Sequence, residues 1–243
     1  SGYTMSLTNT DPNKVEYFPK FEWPRIINPK ITFPLKDNVE SVIKAEDRAV
    51  DEIKKAFADH PDDIAAIIIE PIQGEGGDNH FRPEFMKKLR ALADENEALL
   101  IYDEVQTGVG ITGKWWAHQH TGVVPDIMAF GKKMQVCGIA ATGRIDEVED
   151  NVFRKSGRIN STWGGNLTDM ARSTRYMEII DEENLVLNAA ERGKYLMNQL
   201  GALQNEFSGK ISNVRGKGLF CAFDLPDAGI RNKFKNECFT EGL

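Results

Sequence analysis

Lys132 and Asp103 are the two residues of this 243-residue chain whose type and setting point to chemistry. The apolar run Ala98-Leu99-Leu100-Ile101-Tyr102 delivers Asp103-Glu104-Val105-Gln106-Thr107-Gly108 into a loop, and 29 positions after Asp103 the run Ile127-Met128-Ala129-Phe130 delivers Gly131-Lys132-Lys133. Two strands that each end in reactive polar groups predict one site at the carboxyl edge of an α/β sheet. An amine held there beside a carboxylate is what Schiff-base chemistry requires. The loop from Phe130 to Gly138 is otherwise uncharged, so a lysine desolvated in it would have a depressed pKa and could attack an aldehyde as the free amine.

Each residue also has a plainer reading. A lysine after a strand is usually solvated, and Asp103 could simply cap the next helix. An apolar run ending in Asp-Glu also closes the Walker B strand of phosphate-loop NTPases, and Gly108-Val109-Gly110-Ile111-Thr112-Gly113-Lys114 comes close to the matching phosphate loop. Trp115 stands where that loop needs a Mg²⁺-binding hydroxyl, and the loop follows the acidic strand directly instead of an earlier one, which weighs against the nucleotide reading. The alternative is a carboxylate aimed at a heteroaromatic ring nitrogen. Asp103 would keep that nitrogen protonated, Val105 would press on the ring face, and Gln106 would reach a ring oxygen.

The elements that must position these groups follow from pattern. Val39, Val42, Ile43, Val50, Ile53 and Phe57 recur at helical spacing from Asn38 onward, until Pro61-Asp62-Asp63. A buried strand is expected over Ile64–Ile69, then a loop over Glu70–Asp78, then a helix opened by Pro83 with Phe85, Met86, Leu89, Leu92 and Ala93 as its stripe. After strand 98–102 come a short helix near Trp115–His120, strand 127–130, strand Ile139–Thr142 and a polar loop over Ser156–Gly165. Helices over 167–182 and 185–206 follow. Alternation of this kind predicts βαβ units and a mostly parallel sheet. Residues 1–37, with five prolines and the isolated aromatics Tyr17, Phe18, Phe21, Trp23 and Phe33, predict an irregular segment. From Ile211 to Phe223 the alternation is that of a half-exposed strand pair, and a charged helix follows Pro226. Three parts result: residues 1–183 in a large domain, 184–208 as a connecting helix, and 209–243 as the start of a smaller α+β domain.

Composition limits the function. A net charge of −7 argues against a nucleic-acid surface, and no apolar run approaches the roughly 20 residues of a membrane helix. The three cysteines and four histidines show no CxxC or HExxH spacing, so no metal site is expected and a reducing cytoplasm is. His118 and His120, two apart, would face different ways. The start, Ser1-Gly2-Tyr3-Thr4, has no signal-peptide character, and both ends read as cuts through a longer chain.

Three linked segments carry a resemblance. Glu70-Pro71-Ile72-Gln73-Gly74-Glu75-Gly76-Gly77, Asp103-Glu104-Val105-Gln106-Thr107-Gly108 and Asp126-Ile127-Met128-Ala129-Phe130-Gly131-Lys132 resemble the class III (fold type I) pyridoxal-phosphate aminotransferases. Within that class, Phe130–Gly138, Arg158-Ile159-Asn160-Ser161-Thr162-Trp163-Gly164-Gly165-Asn166 and Arg215-Gly216-Lys217-Gly218-Leu219-Phe220-Cys221-Ala222-Phe223 resemble the branch acting on the ε-amino group of L-lysine. The similarity covers essentially the whole chain. It implies pyridoxal 5'-phosphate as cofactor, transfer of that amino group to 2-oxoglutarate, and 2-aminoadipate 6-semialdehyde and L-glutamate as products. Other ω-aminotransferases, acting on 4-aminobutyrate or ornithine, share the first two segments, and a truncated, non-catalytic cofactor binder is the further alternative.

Carried over by position, the resemblance implies that Lys132 holds the cofactor covalently and moves the catalytic proton. Asp103 would hold the pyridine nitrogen, Val105 the ring face and Gln106 the phenolic oxygen, where Gln106 would also meet substrate. Thr162 would reach the cofactor phosphate of a neighbouring subunit, which implies a homodimer with shared sites. Glu75 would let the enzyme accept two unlike substrates by pairing with an arginine or leaving it. Asn160 would be a polar group on the substrate side, or simply a loop-bracing amide. The paired arginine, the phosphate-binding Gly-Ser loop and the arginine for substrate carboxylate have no counterparts within these 243 residues.

Overall fold

The structure is a computed structural model that describes residues 2–8, 12–159 and 161–243. Its centre is a four-stranded sheet in the order β1 (Ala66–Ile69), β4 (Leu99–Asp103), β5 (Ile127–Phe130), β6 (Gly138–Ala141). β1, β4 and β5 are parallel, and β6 returns antiparallel against β5. The fold is α/β with a mixed, mostly parallel sheet, as the alternation predicts. The antiparallel edge reflects chain length: only the turn Gly131–Cys137 joins β5 to β6, too short for the dozen or so residues a parallel crossover needs.

One face of the sheet is covered by α3 (Leu35–Asp59) and α4 (Pro83–Glu95). Ala49 and Ile53 from α3, Phe85, Met86, Leu89, Leu92 and Ala93 from α4, and Leu100 and Tyr102 from β4 form the buried core. α3 starts four residues before Val39, the first of its apolar stripe, because Pro34, already at φ −72°, sits at its N-cap and accepts from the Asn38 side chain at 3.0 Å. The two helices are pinned together by Arg82, which grips the fully buried Glu46 carboxylate with two bonds of 2.8 Å. A bidentate pair of this geometry satisfies a charge that would otherwise be costly to bury.

Three expectations need correction. β1 starts at Ala66, and Ile68, on the face turned away from α3 and α4, is 42% exposed, so the run Ile64–Ile69 is not wholly buried. The expected loop Glu70–Asp78 contains one strand of a small antiparallel hairpin, β2 (Ile72–Gln73) with β3 (Asn79–His80), because Gly74–Gly77 is tight enough to turn the chain back. Residues 1–37 include two short helices, α1 (Gly2–Leu7) and α2 (Pro12–Val15), before an extended stretch. Phe21 stacks on Trp23 there at 5.3 Å, with Tyr3 tilted against both, so these aromatics form a cluster.

α5 (Leu167–Glu182) is capped by the Asn166 side chain, which accepts from Thr168 N–H at 2.9 Å, and leads into α6 (Leu185–Glu206). The hairpin β7 (Ser212–Lys217) with β8 (Phe220–Asp224) folds back onto α6, and α7 (Ala228–Thr240) follows. The hairpin's tip docks on the loop after β4, where Leu219 N–H donates to Ile111 at 2.9 Å.

Candidate active site

Parallel pairing brings the two chemical segments together. Asp103 stands opposite Ala129 in the register, and Glu104 N–H donates to the Ala129 carbonyl at 2.9 Å. The end of β4 and the Gly131-Lys132 turn are therefore neighbours at the sheet's carboxyl edge. Along β4, Leu100 and Tyr102 point into the core, which puts Asp103 with Ile101 on the opposite, less covered face. Asp103 Oδ1 accepts from Val105 N–H at 3.0 Å, a short loop bond that orients the carboxylate.

Glu104 is the anchor of this loop. Its fully buried carboxylate accepts from Thr107 Oγ1 at 2.9 Å, Ala117 N–H at 2.7 Å and His118 N–H at 2.8 Å, with His118 Nδ1 3.0 Å away. Burial alone would raise its pKa, but the bonds from His118, Ala117 and Thr107 together outweigh burial and hold it below the ordinary value. His118 thus serves Glu104, whereas His120 faces the Thr112 carbonyl at 3.1 Å, so the two histidines turn apart as expected. Asp126, first residue of the third motif, is likewise architectural: its carboxylate accepts from Leu100 N–H and from Arg90, both at 2.7 Å.

The lysine pair is resolved differently from the expectation of a desolvated Lys132. The Lys132 side chain is exposed, while Lys133 is half-buried and donates to the Gln106 carbonyl at 2.6 Å. Burial, and then the charge of Lys132, push Lys133 below its ordinary pKa. The physical reason is backbone conformation. Lys132 has φ +48° and Gln135 has φ +64°, so the turn projects its first lysine outward and folds the second onto the β4 loop. Left-handed non-glycine residues of this kind, with Val109 at φ +61° nearby, are typical where a site dictates backbone shape.

Gln106 joins this edge to the Glu75 loop. A Cβ added at Gly74 would lie 2.6 Å from Gln106 Oε1, so a larger residue there would have to push the Gln106 amide aside. Glu75 itself is exposed and forms an ion pair with Lys14 of α2. Glu70, at the end of β1, accepts from Gly74 N–H at 3.1 Å. Its pKa is raised, first by burial; the Gly74 bond opposes this, Asp103 and Glu75 add to it, and Lys132 pulls back. One carboxyl thus feels the charges of Asp103, Glu75 and Lys132. Glu70 and Lys14 are site neighbours that the sequence reading did not single out. Glu70 had a signal, since it ends an apolar strand as Asp103 does, but Lys14 had none.

Thr162 stands exposed in the loop before α5, and among the described residues no hydrogen bond joins it to Asp103, Gln106 or Lys132. Asn160 lies outside the described residues. The Gly108–Lys114 run is used for packing: Gly113 abuts Ala190 of α6, and Lys114 donates to the Gln119 carbonyl at 2.9 Å. Among the described residues no cluster of metal-ligating side chains occurs, and no helix is long and apolar enough to cross a membrane.

The donor set fits pyridoxal phosphate at the ring end. At one sheet edge it offers a carboxylate held by Val105 N–H, an amide, a branched apolar side chain and an exposed amine. Comparison with known proteins agrees. The aminotransferase class-III family model matches residues 1–243. The L-lysine-epsilon aminotransferase of Mycobacterium tuberculosis is 52% identical over 243 residues, which is 100% of this chain and 54% of that protein. The protein of the same name from Amycolatopsis lactamdurans is 50% identical over 240 residues, 99% of this chain and 53% of that protein. Human mitochondrial 4-aminobutyrate aminotransferase is 39% identical over 242 residues, covering 96% of this chain and 47% of its own. Among solved structures, lysine aminotransferase from M. tuberculosis superposes with a TM-score of 0.95 at 50% identity, covering 99% of this chain and 55% of that one. The chain spans about half the length of the curated relatives it matches. Its α/β sheet, site edge and whole-length match make it a member of the class-III aminotransferases, with the fold type I architecture of pyridoxal-phosphate enzymes.

Proposed function

We propose that the protein transfers the ε-amino group of L-lysine to 2-oxoglutarate with pyridoxal 5'-phosphate, giving 2-aminoadipate 6-semialdehyde and L-glutamate. The observation that carries this reading is the parallel pairing that sets the end of β4, with Asp103 and Gln106, beside the end of β5, with Lys132, while Gly74 of the Glu75 loop approaches Gln106. The choice of lysine is supported by identities of 50 and 52% to proteins named for that substrate, against 39% for a 4-aminobutyrate enzyme.

When bound, pyridoxal phosphate supplies an electron sink for the carbon that loses its proton. The chain's own residues supply position and proton transfer. Asp103, held by Val105 N–H, keeps a ring nitrogen protonated, in a charge-assisted bond worth about 1.5–3 kcal/mol. Val105 covers the ring face, and Gln106, its backbone fixed by Lys133, places its amide at the phenolic oxygen and near substrate. Lys132 is the attachment amine and then carries the proton. Glu75 sorts the two substrates, with Asn160 on the substrate side.

Exposed Thr162, beside Trp163 at 78% exposure and Leu167 at 81%, supports a homodimer in which Thr162 serves the partner's cofactor phosphate. Residues 1–183, 184–208 and 209–243 would be the large domain, connecting helix and small-domain start. Free Cys137, Cys221 and Cys238 support a cytoplasmic setting.

Incubation with pyridoxal phosphate, borohydride reduction and peptide mapping should place the label on Lys132; no label, or a label on Lys133 alone, overturns the assignment. Turnover of L-lysine, L-ornithine and 4-aminobutyrate should rank lysine first. A lysine rate below the other two overturns the substrate choice.

A further inference from the structure

Arg215 belongs to a quoted motif but to none of the roles above, and it is only 4% exposed. It sits on β7, yet its guanidinium reaches a segment 138 positions earlier in the chain. Nε donates to the Gly77 carbonyl at 3.0 Å and to that of Asp78 at 3.2 Å, and a second nitrogen also bonds Gly77. The remaining nitrogen donates to the Asn213 carbonyl at 2.7 Å and to Asp224 Oδ1 at 2.8 Å. All three guanidinium nitrogens are engaged, and the fork ties the β7–β8 hairpin to the turn that carries Glu75.

The same turn is held from its other end. Gly77 and Asp78 N–H both return to the Gly74 carbonyl, at 3.1 and 3.2 Å. A Cβ at Gly74 would meet Gln106 Oε1 at 2.6 Å and the Phe220 ring at 3.1 Å. Glu75 and Gly76 are therefore the exposed apex of a turn gripped by Gln106 on the cofactor side and by Phe220 and Arg215 on the hairpin side. Stability alone does not call for this arrangement, because a buried charge is often no better than an apolar residue of similar volume. A guanidinium adds a planar fork that orients backbone carbonyls, which a lysine or an apolar side chain cannot do.

We propose that Arg215 is a positioning residue for Glu75: it fixes the Gly74–Asp78 turn so that the Glu75 carboxylate is presented correctly to two unlike substrates. This rests on the reading of Glu75 given above, and Arg215 itself touches neither substrate nor cofactor.

The test uses Arg215→Lys, Glu75→Gln and the double variant in the pyridoxal-phosphate-loaded protein. The two half-reactions, with L-lysine and with 2-oxoglutarate, are followed separately through cofactor absorbance. Arg215→Lys should change the ratio of the two half-reaction constants by about tenfold or more, in the same direction as Glu75→Gln, with no further change in the double variant. Hydrogen exchange should quicken at the Gly77 and Asp78 amides and stay unchanged in β4 and β5. A parallel fall in both half-reactions, additive effects, or faster exchange throughout would reduce Arg215 to a structural staple and overturn the proposal. If Glu75→Gln alone leaves both half-reactions unchanged, the Glu75 reading fails and this proposal with it. A selective Glu75→Gln beside a uniform Arg215→Lys removes only the Arg215 proposal. Should Arg215→Lys not fold, Asp224→Asn, which frees the guanidinium's far side, is read by the same criteria.

Discussion

Lys133 Nζ lies 2.6 Å from the Gln106 carbonyl, so the second lysine of the pair braces the loop on which Asp103, Val105 and Gln106 are carried. The neighbouring Lys132 is exposed. Adjacent residues of one type thus divide into a structural amine and an accessible one.

Lys133→Met should therefore cost about 1–2 kcal/mol in urea unfolding, because it leaves a half-buried carbonyl without its charged donor. Lys132→Met should change stability by less than about 0.5 kcal/mol, as exposed substitutions usually do. The borohydride label should persist in the first variant and vanish in the second. Greater destabilisation by Lys132→Met would contradict this division.

Glu104→Gln should destabilise by about 2–4 kcal/mol, since an amide cannot accept all the bonds that Thr107, Ala117 and His118 donate. The native pKa of Glu104 lies below its ordinary 4.5, so its contribution is complete above that value and is lost as pH falls through the native pKa. Urea midpoints across the acid range should therefore converge for wild type and variant. A gap that stays constant with falling pH would refute the carboxylate's role.

His80 is buried, its Nε2 has no hydrogen-bond partner among the described residues, and its ring meets Phe33 edge-on at 5.9 Å. Burial first, then the charges of Lys217, Arg215 and His120, push it down to about 4. The native state therefore resists protonation. Stability from this group is full above 6.5 and falls as pH drops toward 4. His80→Phe should remove that decline, visible as a melting temperature less dependent on pH between these values. Asp78, pushed up to about 6 by burial against the pull of Arg215, works in the opposite sense: the native state prefers its protonated form, and stability is lost as pH rises through about 6. Asp78→Asn should accordingly gain on the wild type above pH 6, and a pH profile unchanged in both variants would exclude these two groups.

Two glycines of α6 should respond oppositely to alanine. A Cβ at Gly193 would fall 2.0 Å from the Gly218 carbonyl oxygen at the hairpin tip, so Gly193→Ala should cost about 3 kcal/mol or more by forcing helix and hairpin apart. Gly201 faces open space, and Gly201→Ala should stabilise by roughly 0.5–1 kcal/mol. Thermal melts of the pair would decide it, and equal effects would mean that the hairpin does not press on the helix.

The sequence by itself determined the α/β class and which residues follow β4 and β5 at the carboxyl edge of the sheet. Period-two and period-3.6 apolar patterns are local, and Asp103, Val105, Gln106 and Lys132 sit at fixed offsets from the strands that deliver them. Local pattern did not determine what depends on a partner far along the chain. Lys132 and Lys133 have the same side chain and nearly the same neighbours, and only the left-handed turn at Lys132 decided which one is buried. That Glu46, Glu104 and Arg215 are buried was not legible in local pattern; Arg82, His118 and the Gly77 carbonyl close on them in three dimensions. Burial of a charge is decided by the partners that satisfy it. Arg82, His118 and Gly77 lie 36, 14 and 138 positions from the charges they meet, beyond the reach of any helical or strand period.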